Sequence, residues 1–253
     1  MKRTFASLFI LAVIAPSLAF ATPVKKMKPN VAPLPIEEAA EPAPPNDLFE
    51  PVNRATFALN DGIDALIVNP LVAVWNGIVP SFVRTGVGNF FNNLDDIYVG
   101  ANHLLQGNGS RAAVDFQRVA VNTTIGIVGL VDVGAKMGLN KVDGDFGQTL
   151  GVWGVPTGPY LILPLIGPST VRETAGRTVR IATDPRTYMD AVPSYSLMGL
   201  EYLQTRADAK ANEGLIAASS LDRYVFVRNL YLQKRSLMVK AGLEASKSRQ
   251  AAK

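Results

Sequence analysis

From Val52 the apolar positions of the chain recur at steps of three and four. Val52, Ala55, Leu59, Ile63 and Leu66 fall on one face of a helix begun near Pro51, where proline's fixed φ suits a first turn. Pro70 is expected to end that helix and open a second through Val74, Trp75 and Ile78. Pro80-Ser81 opens a third, striped by Val83, Val87, Phe90, Phe91 and Leu94. Asp95 or Asp96 reads as the cap of a separate helix through Ile97, Ala101, Leu104 and Leu105, stopped at Gly107. Ser110 caps the next, and Gly126 interrupts or ends it. Thr170-x-x-Glu173 has the form of a capping box for a helix to about Ala182, broken at Asp184-Pro185. Ser194 or Ser196 starts another through Leu197, Leu200 and Leu203, and a long helix runs from about Leu221 toward Leu243. The one strand-like run is Tyr160 to Leu163, set between prolines. The body reads as all-α.

One segment breaks the helical period. From Gln148 to Val171 there is no charged residue, over a length that would cross a bilayer, yet Gly151, Gly154, Gly158 and Gly167 alternate with Pro156, Pro159, Pro164 and Pro168. An interior proline costs a helix about 3 kcal/mol and a glycine about 1 kcal/mol, so this is no spanning helix. Irregular backbone cannot face hydrocarbon with its amides unpaired, which leaves a protein interior or the wall of a polar cavity at membrane depth. A buried loop of an ordinary soluble fold is the plainer alternative.

The apolar helix faces also have two possible destinations. They could close a core, or they could lie in a membrane interface with Trp75, Phe82, Phe90, Phe91 and Tyr98 reaching into lipid. From this pattern alone a core is the ordinary outcome, while composition hints at exposed apolar surface. Over 253 residues, 48% are hydrophobic and only 18% charged, below the usual quarter. Such a balance leaves more apolar surface than water tolerates.

The two ends add compartment and charge. Lys2 and Arg3, the apolar run Phe5 to Ala15 and the sequence Ala19-Phe20-Ala21 form a secretory signal over 1–21, cleaved before Thr22. Residues 22–45, with clustered lysines, then glutamates, and repeated Pro and Ala, read as a disordered linker. The folded domain is expected over 46–235 and a basic tail over 236–253. Lys234, Arg235 and Lys240 belong to this basic end and are candidates for contact with headgroups or a carrier protein. The chain has no cysteine, which removes disulfides, thiol catalysis and acylation at a cysteine.

Candidate chemistry is thin. The sole histidine, His103, sits on a helix with no second histidine to share a metal, and reads as structural. No nucleophile elbow, nucleotide-binding glycine fingerprint or metal-ligand spacing is present. Asp95-Asp96 and Asp143-x-Asp145 are carboxylate pairs without a partner to assign acid and base roles. No catalytic residue, metal site or cofactor is expected, and without a basic stripe interleaved with aromatics neither is nucleic acid.

Four stretches then carry a specific likeness. NDLFEPVNRATFALND (Asn46 to Asp61), FFNNL (Phe90 to Leu94), NTTIGIVGLVDVGAKMGL (Asn122 to Leu139) and GDFGQTLGVWGVPTGPYLILPLIGPST (Gly144 to Thr170) resemble the MlaA family, also called VacJ, in order from about Asn46 to about Lys234. The resemblance implies a ring of amphipathic helices lying in the plane of the Gram-negative outer membrane, in its inner leaflet. The Gly/Pro-rich segment would line an amphipathic channel. Mislocalised outer-leaflet phospholipids would pass through it to a periplasmic lipid-carrier protein, with a trimeric outer-membrane porin holding the ring. By position, Phe146, Gln148, Trp153, Gly154, Gly158 and Tyr160 would line the channel, and Asp143, Gly144, Asp145 and Gly147 would form the loop at its mouth. Members of the family are commonly acylated on a cysteine, so this chain departs from the pattern and would be anchored by its ring helices and partners. The alternative function is a porin-associated scaffold of the envelope that carries no lipid.

Overall fold

The computed structural model describes residues 47–217 and 222–251. The expected signal, the whole expected linker and the last two residues lie outside the described residues. Nine α-helices and one small hairpin follow in order: α1 (Glu50–Ile63), α2 (Asn69–Ile78), α3 (Ser81–Leu105), α4 (Gly109–Thr124), α5 (Val133–Lys136), α6 (Phe146–Val152), β1 (Tyr160–Leu163), β2 (Gly167–Thr170), α7 (Val171–Thr183), α8 (Ala191–Ala217) and α9 (Arg223–Ala251). The all-α reading holds, with the strand at Tyr160 to Leu163 as expected.

Several boundaries differ from the sequence expectation. Pro70 does not end the first helix. A π turn at Asp64–Val68, in which the Asn69 amide bonds Asp64 O, shifts the hydrogen-bond register so that Pro70 stands in the first turn of α2, where its missing N–H loses nothing. Asp95 and Asp96 cap nothing, because α3 runs through them for 25 residues. Asp96 is instead buried against Arg118 of α4 (Nε–Oδ2 2.9 Å). The cap of α4 is Asn108, whose side chain accepts the Arg111 amide at 3.2 Å, rather than Ser110. At the other end, the expected boundary between domain and tail at 235/236 falls inside α9.

Apolar and polar residues have exchanged their usual places. Leu66 is 81% exposed, Val192 78% and Phe82 76%, while Asp96, Asp115 and Thr149 are 0% exposed. The core between α3 and α4 is a charge network. Arg118 reaches Asp96 and Asp132, the latter at 3.0 Å, and His103 Nδ1 lies 2.6 Å from Asp115 Oδ2. Buried charges persist only when paired and hydrogen-bonded, and these are. Asp96 still feels its burial, which pushes its carboxyl above the usual range against the pull of Lys141 and Arg118. Only a small aromatic cluster, Tyr160, Ile162 and Tyr224 with Phe57 and Tyr231 against it, resembles an ordinary core.

That cluster seals the hairpin. β1 pairs antiparallel with β2, Tyr160 opposite Thr170 and Leu163 opposite Gly167. The free edge of β1 is covered by two asparagines seven residues apart on one face of α1. Asn53 accepts the Ile162 amide at 2.9 Å and donates to Tyr160 O at 3.1 Å; Asn60 accepts from Leu165 N at 2.8 Å and donates to Leu163 O at 3.1 Å. The helix thus acts as a third strand through its side chains, and the outer edge of β1 is not left open.

Candidate functional site

A polar cavity of about 640 Å³ lies among α3, α6, α7, α8 and α9. Each long helix contributes polar residues at its own turn spacing: Asn92 and Asp95 on α3, Arg177 and Arg180 on α7, Glu201, Gln204 and Asp208 on α8, Tyr231, Lys234 and Arg235 on α9. Steps of three and four put such residues on one face, so these faces were written in the sequence as polar stripes. The stripes pointed inward rather than to water.

Arg235 organises one wall. Its guanidinium forks onto Asp145 (Nη1–Oδ2 2.6 Å, Nη2–Oδ1 2.9 Å) and its Nη2 also bonds Glu173 Oε2. Glu173 in turn accepts Arg172 Nη2 at 2.9 Å. Asp145 caps α6 by accepting the Gln148 amide at 2.8 Å. Burial would raise the Asp145 carboxyl, but Arg235, the Gln148 amide and the charge of Arg177 outweigh it and hold it below the usual carboxylate range. The same environment raises Arg235, burial notwithstanding. This wall stays charged over any physiological pH.

Glycines set how closely that wall packs. A β-carbon on Gly176 of α7 would lie 2.8 Å from Gly147 Cα, and one on Gly147 would overlap the Glu173 carboxylate. A β-carbon on Gly144 would come 2.9 Å from His103 Nε2, so the loop 143–147 rests on α3 and reaches α9 through Lys234–Asp143 at 3.0 Å.

Beside the polar cavity lies an apolar one of about 460 Å³, formed by Phe90, Leu94, Ile97, Met189 and Leu197 among others. The two share five residues, Phe91, Asp95, Tyr98, Arg180 and Glu201. At this junction the Arg180 guanidinium stacks over the Tyr98 ring at 4.9 Å and pairs with Asp95. The Tyr98 hydroxyl accepts the Phe146 amide at 3.3 Å, and burial first of all raises its pKa. A charged compartment therefore adjoins a greasy one, with these five residues between them.

The residues singled out in the sequence fall into two groups. Asp143, Asp145, Gly147, Lys234 and Arg235 surround the polar cavity together, although the sequence had assigned them to two separate roles. Gly144 lies just behind, on His103. Phe146, Gln148, Trp153, Gly154, Gly158 and Tyr160 are not among the residues around either cavity. Phe146 and Trp153 meet edge to face at 5.9 Å, and Trp153 Nε1 donates to Leu105 O at 3.1 Å. Gln148 is buried with its amide on Met238 O at 2.7 Å, and Tyr160 is in the aromatic cluster. Gly154 has φ +93° with nothing close to it, and Gly158 has φ +70° against Val171, so the left-handed backbone explains both. Lys240 is exposed on α9. The residues the sequence reading missed, Arg177, Arg180, Glu201, Gln204 and Asp208, sit at polar positions of α7 and α8 to which it assigned no role. No group of three or more His, Cys, Asp or Glu that could hold a metal occurs among the described residues.

Comparison with known proteins agrees with this architecture. Residues 45–238 match the family model described as MlaA lipoprotein. The chain is 33% identical over 201 residues to the intermembrane phospholipid transport system lipoprotein MlaA of Shigella flexneri, and equally to that of Escherichia coli K12, covering 78% of this chain and 80% of each relative. The protein of the same name in Haemophilus influenzae is 30% identical over 208 residues, at the same two coverages. A solved structure reported as "Structural basis for maintenance of bacterial outer membrane lipid asymmetry" superposes with a TM-score of 0.68 at 31% identity, covering 77% of this chain and 99% of the other. Unlike what the family's description as lipoproteins presumes, the sequence contains no cysteine. With its family-model match spanning most of the folded body and its relatives matched over most of their length, the chain belongs to the MlaA family.

Proposed function

We propose that the protein is the outer-membrane component of a retrograde phospholipid transport system. It takes mislocalised phospholipids from the outer leaflet and passes them to a periplasmic lipid-carrier protein, which preserves lipid asymmetry. The observation that carries this reading is the junction of the two cavities. A phospholipid is itself a charged head joined to apolar chains, and a charged compartment that adjoins an apolar one at Asp95, Tyr98 and Arg180 matches the two ends of such a molecule. The step needs no bond made or broken, so the protein acts as a conduit and not as an enzyme.

The exposed apolar faces of α1 to α3 support residence in the hydrocarbon of the inner leaflet, with the charge network turned away from lipid. Glu50–Ile78 is the one described helical run long and apolar enough to cross a membrane, and only 11% of its most apolar window is buried. Because α1 carries Asn53 and Asn60 to the hairpin edge, we read the run as part of the ring. In a chain without cysteine, that apolar surface and a trimeric porin would supply the anchorage. The loop 143–147 would form the mouth of the channel, and Lys234, Arg235 and Lys240 lie on the helix best placed to meet headgroups or the carrier.

The test is photo-crosslinking with phospholipids that carry the reactive group either in the head or on an acyl chain, mapped by residue in the full chain embedded in vesicles. Head-group adducts on α7 to α9 around Arg177 and Gln204, and chain adducts at Phe90, Leu94 or Met189, are expected. Adducts confined to outward residues such as Phe82, Ile125 and Val192 would show a membrane-bound scaffold with no lipid inside it.

A further inference from the structure

The ionised side chains around the polar cavity pair off almost completely. Asp145 and Glu173 share Arg235, Asp143 takes Lys234, Asp95 takes Arg180, and Glu201 takes Arg186 at 2.6 Å. Two charges are left over. Arg177 of α7 makes no ion pair or hydrogen bond among the described residues, although its charge is felt at Asp145. Asp208 of α8 accepts the neutral Gln204 amide, Nε2–Oδ1 3.0 Å, and makes no ion pair among the described residues. One free cation and one free anion thus stand on different walls of one cavity, the first on α7 and the second on α8.

Both side chains are exposed to solvent at the cavity, so a guanidinium and a carboxylate are available there to a bound head. A guanidinium is the group that best matches a phosphate, through paired N–H donors. A carboxylate beside it repels a second anion and attracts an ammonium. The pattern fits a head that carries both charges and fits a purely anionic head poorly.

We infer that the cavity selects zwitterionic phospholipids bearing an ammonium group over anionic ones, with Arg177 taking the phosphate and Asp208 the ammonium. The inference rests on the reading of the cavity as a lipid conduit and adds to it a headgroup preference. Specificity here is a difference between two affinities, and it comes as much from the repulsion Asp208 offers to an anionic head as from the attraction it offers to ammonium.

The experiment uses the full chain in vesicles that contain equal amounts of phosphatidylethanolamine and phosphatidylglycerol, each isotopically labelled, and measures the lipid bound to the purified protein by native mass spectrometry. The wild-type protein should carry the ethanolamine lipid in excess by about tenfold, the effect of one hydrogen bond to a charged group. Asp208→Asn, which keeps the Gln204 contact, should erase the preference by releasing phosphatidylglycerol binding. Arg177→Gln should reduce both lipids together, because both carry the phosphate. Wild-type protein that binds both lipids equally, with no change in Asp208→Asn, overturns the headgroup assignment and leaves the conduit standing. Wild-type protein that binds neither lipid overturns both. Asp208→Lys separates charge from shape: it should invert the preference, and an unchanged ratio counts against the inference.

Discussion

Gly147 and Gly176 face each other with no space for a side chain: a β-carbon on Gly176 would lie 2.8 Å from Gly147 Cα, and closer still to its amide nitrogen. α6 and α7 therefore meet backbone to backbone, and that contact holds Asp145 and Glu173 at the distance Arg235 bridges. Gly176→Ala should push the helices apart and destabilise the fold by about 1–3 kcal/mol, the usual effect of overfilling a tight contact. Gly199→Ala, on α8 with nothing near it, should instead stabilise by about 0.4–1 kcal/mol. Thermal unfolding of both variants in the same detergent checks the opposed signs.

The Asn53 side chain closes the edge of β1, and Asn53→Leu fills the same space without its hydrogen bonds. The Ile162 amide and the Tyr160 carbonyl then lose their partners in a buried setting. The expected loss is about 1–3 kcal/mol for each group left unsatisfied. Amide exchange at Ile162, slow in the native protein, should quicken by orders of magnitude in the variant even where the rest of the chain stays protected.

Arg118 lies between α3, α4 and the turn that precedes α5, bonded to Asp96, Asp132 and the Leu139 carbonyl. Arg118→Met removes one partner of a buried network and leaves Asp96 charged with only Lys141. A loss of about 3–5 kcal/mol is expected. The double variant Arg118→Met with Asp96→Leu should recover part of it, and a chemical-denaturation cycle measures how much.

Asp145 gives the protein an acid limit. Its native carboxyl sits below the usual range, while in the unfolded chain it titrates near its ordinary value of about 4. The stabilisation is thus complete above that value and fades as pH falls through the depressed native one. Unfolding midpoints measured from about pH 7 down to about pH 3 should trace the loss, with Asp145→Asn both less stable at neutral pH and flatter below it. Equal slopes for the two proteins would assign the acid limit to another carboxylate.

Sequence patterns gave the helices and one strand, because those depend on local period and punctuation. Misreadings arose where a distant partner decided the role. Asp96 looked like a cap, and only Arg118, 22 residues on, turns it into a buried ion. The partner strand Gly167–Thr170 was invisible because Gly-Pro-Ser-Thr has poor strand propensity; register with β1 supplies its structure. The Gly/Pro segment drew attention for its missing charge, yet the cavity is built mainly from charged stripes on α3, α7, α8 and α9. Read alone, each stripe looks like the wet face of a soluble helix. What distinguishes them is that the same helices carry apolar residues such as Phe82 and Val192 into the open, a sign that solvent and core had changed places.

That exchange has a thermodynamic consequence. Proteins that hide oil from water unfold with a large rise in heat capacity, because unfolding wets the oil. Here much of the oil already faces outward and the charges are hidden, so unfolding within a detergent micelle would hydrate mostly polar groups, which lower heat capacity. The stability curve in detergent should consequently be shallow, nearly a straight line with temperature, with cold denaturation pushed out of reach. In plain buffer the same chain would have no such curve at all, for the native state would first have to find a surface to lie in.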